Sequence, residues 1–114
     1  SAATSPGHDA AVLEVGPLRV DQARREVTVD GREVRLTPIE FRLLALLAGN
    51  AGKVLTHRQI LKEVWGPPYV DETHYLRVFM ATLRRKIEQD PARPRLLLTE
   101  PGVGYRMKEA EEGN

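Results

Sequence analysis

HYLRVFMATLRRKIEQ, residues 74–89, is the stretch with the clearest amphipathic helical pattern in the chain. Leu76, Met80, Leu83 and Ile87 recur every third or fourth residue and form one apolar stripe, the spacing of a helix packed on a core. The outward face carries His74, Arg77, Val78, Ala81, Thr82 and Arg85, with Arg84 at its border. Cations, one hydroxyl and small apolar groups share that surface. Pattern alone leaves two readings open: a solvated helix face, or a face turned to a polyanion.

Around this helix the chain alternates strand and helix signals. Residues 11–36 alternate apolar and polar, with Val27 and Val29, then Val34 and Leu36, on one face and Asp30-Gly31 between them, a strong hairpin signal. A small antiparallel sheet is expected there. TPIEFRLLALLAGN follows, with Thr37 as N-cap, Pro38 at the first helical position and Glu40 in the capping-box place, ending at Gly49 and Asn50. It is apolar almost all round, so it should be the central helix of the core. A second capping box at Thr56 and Gln59 opens HRQILKEVWG, with Gly66 as stop and Pro67-Pro68 forbidding continuation. Asp71 or Thr73 is expected to cap the third helix, which runs to about Gln89. RLLLTE, PGVG and YRM then read as a hairpin in which Gly102 and Gly104 tolerate positive φ.

Length and composition narrow the function. At 114 residues the chain is one domain's worth. Residues 1–10 read as a disordered linker or tag remnant, residues 11–108 as the folded domain and residues 109–114 as a frayed acidic tail. There is no cysteine, and serine occurs only at Ser1 and Ser5, so thiol and serine nucleophiles are not on offer. The longest apolar run, LLALLA at residues 43–48, is far short of the roughly 20 residues a membrane helix needs. A soluble, cytoplasmic protein is expected. His8, His57 and His74 lack ligand spacing, and AGNAGK follows a helix and lacks the ending of a phosphate-binding loop. No enzyme, metal or cofactor is expected. The net charge of +1 hides an uneven distribution: residues 11–36 hold five Arg against five acids, whereas residues 53–95 hold nine Lys and Arg against five, net +4. The basic excess is central.

Two short helices, the second cationic, followed by a tight hairpin, fit a helix-turn-helix with a wing, although the loop from Gly66 to Asp71 is longer than the simple motif uses. LTPIEFRLLALLAGNAGKVLT, HRQILKEVWG and HYLRVFMATLRRKIEQDPARPRLLLTEPGVGYR together resemble the effector domain of the OmpR/PhoB class of two-component response regulators, nearest to its KdpE type, which controls the Kdp potassium-transport operon. TPxEFxLL, VWG, LRxK and GxGYR occur in order, and the resemblance covers about Val12 to Met107. It implies an α+β winged helix: a four-stranded antiparallel N-terminal sheet, a three-helix core and a C-terminal β-hairpin wing.

The resemblance also implies double-stranded promoter DNA as partner, read by the third helix. His74, Val78, Thr82 and Arg84 sit at positions that touch DNA in the family. Trp65 matches a position that meets the backbone through its indole N–H, and Tyr75 is divided between core and phosphate. Thr99 and the amide of Gly102 match wing positions near phosphate or the minor groove. Pro101 departs from members that carry an arginine there, so minor-groove readout by the wing is not implied. From its own chemistry, Arg77 is the leading candidate for base reading, because a guanidinium forks onto guanine O6 and N7. Arg84 and Arg85, later in the helix, are expected on phosphate. The loop from Gly66 to Asp71 aligns with a segment that meets RNA polymerase. Phosphorylation by a cognate sensor histidine kinase and dimerisation belong to a receiver domain outside this chain. The competing class is a winged helix used for protein–protein contact.

Overall fold

The computed structural model describes residues 11–110; the linker expected over residues 1–10, and residues 111–114 of the expected tail, lie outside it. Four strands, β1 (Val12–Val15), β2 (Leu18–Asp21), β3 (Glu26–Val29) and β4 (Arg32–Val34), pair in chain order as an antiparallel meander. Val20 lies opposite Val27, and Val27 opposite Val34, so one face of the sheet is apolar across three strands. Both turn residues Asp30 and Gly31 have positive φ, 53° and 80°, as a tight two-residue hairpin turn requires. β4 ends at Val34, and Leu36, expected in line with it, lies beyond the strand and packs partly buried on the core.

Helix α1 (Pro38–Gly49) begins as its sequence dictates. The Thr37 hydroxyl accepts from the Glu40 amide at 3.3 Å, and Glu40 Oε1 accepts from the Thr37 amide at 2.9 Å. Its apolar sides meet β1, α2 (His57–Val64), α3 (Thr73–Ile87) and β7 (Gly104–Met107), so it is the central helix. Glu40 does more than cap. Its buried carboxylate also accepts from Lys86 Nζ at 2.6 Å, tying the start of α1 to the last turn of α3. Burial alone would raise the Glu40 pKa, but Lys86 and Thr37 outweigh it and hold the carboxyl below its ordinary 4.5. A carboxylate held low favours the folded state at pH above the unfolded value. That contribution is lost as pH falls through the lowered folded one.

Strand β5 (Val54–Thr56) precedes α2, whose capping box uses Thr56 and Gln59. Gly66, at φ 113°, turns the chain into a short 3₁₀ turn (Pro67–Tyr69). α3 starts after Glu72 with no side-chain cap, contrary to the expected capping by Asp71 or Thr73. The Asp71 carboxylate is instead taken by Arg58 of α2 at 2.7 Å, and Thr73 lies inside the helix. α3 ends at Ile87, two residues before the expected stop, because Glu88 turns extended (ψ 143°) to reach the next segment.

The C-terminal hairpin joins β6 (Leu97–Glu100) to β7. β5 adds a third strand, giving the order β5-β7-β6, which the hairpin reading lacked. Only Gly102 of the two turn glycines has positive φ, at 76°. Gly104 is needed for another reason: it lies opposite Thr56, and a Cβ on it would overlap the Leu55 carbonyl oxygen. No helix among the described residues is long and apolar enough to cross a membrane.

Candidate nucleic-acid interface

The stripe read from the sequence is the stripe that is buried: Leu76, Met80, Leu83 and Ile87 are at most 2% exposed. That fixes the helix rotation. Val78 is 48% exposed, and His74, Arg77 and Arg85 are exposed with it, so these side chains stand on an outward face that neither sheet covers. From His74 to Arg85 this surface runs about 16 Å at 1.5 Å per residue. Arg77 forms no hydrogen bond or ion pair among the described residues, so its fork is open.

Thr82 and Arg85 are less free. The Thr82 hydroxyl donates to the Val78 carbonyl oxygen at 3.2 Å and accepts from Arg85 Nη2 at 3.2 Å, so its proton is committed and one lone pair remains. Arg85 therefore lies folded along the helix toward Thr82. Tyr75 is 44% exposed, its ring tilted against that of Tyr69 at 6.2 Å, so it belongs to the surface rather than the core. Trp65, at the end of α2, is partly buried edge-to-face on Phe79 at 5.2 Å, and its indole N–H has no hydrogen-bond partner among the described residues. In the hairpin, Thr99 and Gly102 are exposed, and the hairpin's own cation Arg106 is paired with Glu100 at 2.9 Å.

Arg84 differs from its expected role. Instead of pointing outward for phosphate, its Nε and Nη2 donate to the Leu97 carbonyl oxygen at 3.1 and 2.8 Å, and Nη2 also donates to Thr99 Oγ1 at 2.8 Å. Glu88 went unremarked in the sequence. Its buried carboxylate accepts the backbone amides of Arg95, Leu96 and Leu97 at 2.8, 2.9 and 2.7 Å. No local pattern reveals either role, since the partners lie in β6 and the two residues leading into it, a segment that the sequence does not place beside the helix.

Residues 31–107 match the family described as "Transcriptional regulatory protein, C terminal". The KDP operon transcriptional regulatory protein KdpE of Escherichia coli is 55% identical over 107 residues, 94% of this chain and 46% of that protein. The chain thus spans about half the length of that relative. Among solved structures, the response regulator DrrB of Thermotoga maritima, an OmpR/PhoB homologue, superposes with TM-score 0.79 at 34% identity, covering 86% of this chain and 44% of that one. The RstA DNA-binding domain of Klebsiella pneumoniae, solved in complex with the RstA box, gives TM-score 0.78 at 27% identity over 85% of this chain and 96% of that one. The matched family is thus one of transcriptional regulatory proteins, and the RstA domain is a DNA-binding one. With its sheet, three helices and hairpin in the same order, the chain belongs to the C-terminal DNA-binding effector domains of OmpR/PhoB-type response regulators.

Proposed function

We propose that α3 enters the major groove of promoter DNA as a recognition helix while the β6–β7 hairpin lies on the flanking backbone. A helix about 10 to 12 Å across matches a groove roughly 12 Å wide. One observation carries the reading: Arg77 stands without a partner among the described residues at the middle of a face that also presents His74 and Val78, while the reverse of the same helix anchors the core. Arg77 forks onto guanine, and Val78 meets a thymine methyl. Thr82, its proton spent on Val78, offers its remaining lone pair to a base amine such as adenine N6 or cytosine N4. Arg85, Tyr75 and the indole N–H of Trp65 serve phosphates, with Thr99 and the Gly102 amide completing the contact from the wing. The working domain is residues 11–108.

Three further assignments follow. The 55% identity to KdpE of Escherichia coli supports control of a potassium-transport operon. As in response regulators generally, a receiver domain phosphorylated by a cognate sensor kinase would pair two such effectors on tandem half-sites. The loop from Gly66 to Asp71, stiffened by two prolines and presenting Tyr69, is the surface for RNA polymerase.

Counterion release tests the DNA reading. If the net excess of four positive charges over residues 53–95 neutralises about 4 phosphates, log affinity against log salt should fall with a slope of about −3.6 when the chain is titrated against promoter duplex. Binding indifferent to salt contradicts it.

A further inference from the structure

We infer that Arg84 is a positioning residue that fixes the pitch of the wing against the recognition helix, rather than a phosphate ligand; the inference rests on the DNA-binding reading above. A guanidinium has five N–H groups in a rigid plane. Three of Arg84's are used inside the protein, two on the Leu97 carbonyl oxygen and one on Thr99 Oγ1. Its plane also lies 5.7 Å from the Tyr105 ring centroid, so the group is held from two sides. Only Nη1 is left.

The acceptors give this commitment its meaning. β6 is an edge strand, and its outward peptide groups would otherwise be unpaired. Leu97, fully buried, has its carbonyl oxygen bound by Arg84 of α3 and its amide bound by Glu88, the extended residue that caps the end of α3. Both polar groups of one wing residue are therefore secured by side chains of the recognition helix and of its C-cap. Beyond Leu97, Thr99 extends the tie toward the tip, and the Arg106–Glu100 pair stiffens the hairpin across its two strands. The wing contacts proposed for Thr99 and Gly102 come from neutral groups, so their value depends on where the tip is held rather than on charge. Arg84 supplies that placement: helix and wing meet the duplex as one rigid body.

The test compares wild type with Arg84→Lys, which keeps the charge and loses the planar fork, and with Thr99→Val, which removes a single acceptor. In the free chain, backbone nitrogen relaxation at Gly102 and Val103 should report a looser tip for Arg84→Lys and, in smaller measure, for Thr99→Val, with far-UV circular dichroism unchanged. Relaxation identical to wild type in both variants overturns the inference whether or not the chain binds DNA. On a duplex recovered by binding-site selection, Arg84→Lys should lose about tenfold in affinity. Its salt slope should stay unchanged and its hydroxyl-radical protection should vanish at the wing flank alone. Arg84→Lys with wild-type affinity and an intact wing footprint would assign Arg84 to phosphate instead. A wild-type chain that selects no duplex would instead remove the DNA-binding reading, leaving the relaxation measurement to decide on the clamp.

Discussion

Gly104→Ala should destabilise the domain by about 3 kcal/mol, at the upper end of the range for forcing extra volume into a packed site. Gly104 is buried in β7, and the neighbour that a methyl group would strike is backbone: the Leu55 carbonyl oxygen, with Thr56 Cα 2.9 Å away. Backbone cannot rotate aside as a side chain does. The Leu55 peptide would have to move, breaking the pairing of β5 with β7. Thr56 is both the last residue of β5 and the N-cap of α2, so the displacement also strikes the capping box that starts that helix. Urea denaturation followed by circular dichroism should show the midpoint falling with little change in slope. A loss below about 1 kcal/mol would mean that β5 is not held as described.

Glu88→Ala should cost about 3 kcal/mol for a different reason. It removes no apolar packing of consequence, but it orphans three backbone amides at once. Leu96 and Leu97 are 4% and 0% exposed, so water cannot replace the lost carboxylate there, and each buried unsatisfied donor costs about 1 to 3 kcal/mol. The Arg95 amide lies in an exposed residue and can turn to solvent. Glu88→Gln discriminates this explanation from simple loss of charge. Its single carbonyl oxygen can occupy the place of Oε2 and keep both buried amides satisfied, so it should cost about 1 kcal/mol. The same urea titration measures both variants. Equal losses for Ala and Gln would show that the negative charge, and not the acceptors, holds the segment.

What was legible in the sequence was what depends on neighbours within a turn or two. The Thr37 and Thr56 capping boxes, the Asp30-Gly31 turn and the Leu76–Ile87 stripe all form as read, because spacing alone dictates them. β5 escaped notice since three residues, Val54–Thr56, carry no periodicity, and they become a strand only when β7 arrives from fifty residues away. Partners outside any local pattern were hidden too: Lys86 on Glu40 across 46 residues, Arg84 on Leu97 across 13, and Glu88 on three amides 7 to 9 residues ahead. Arg84 is the instructive case. Sequence placed it at the border of the outward face, where charge suggests phosphate, whereas the strand packed beside α3 offers its guanidinium a carbonyl and a hydroxyl at closer range. Arg77, two helical turns earlier, is exposed and has no partner among the described residues.

That open guanidinium is where base recognition stands or falls. Binding-site selection from a random duplex pool, run in parallel with wild type and Arg77→Ala, measures it directly. If α3 reads the major groove through Arg77, wild type should recover a defined motif containing a fixed guanine. The variant should bind that motif about 1 to 3 kcal/mol more weakly and accept other bases at the guanine position. An Arg77→Ala chain that selects the same motif with the same affinity would contradict it.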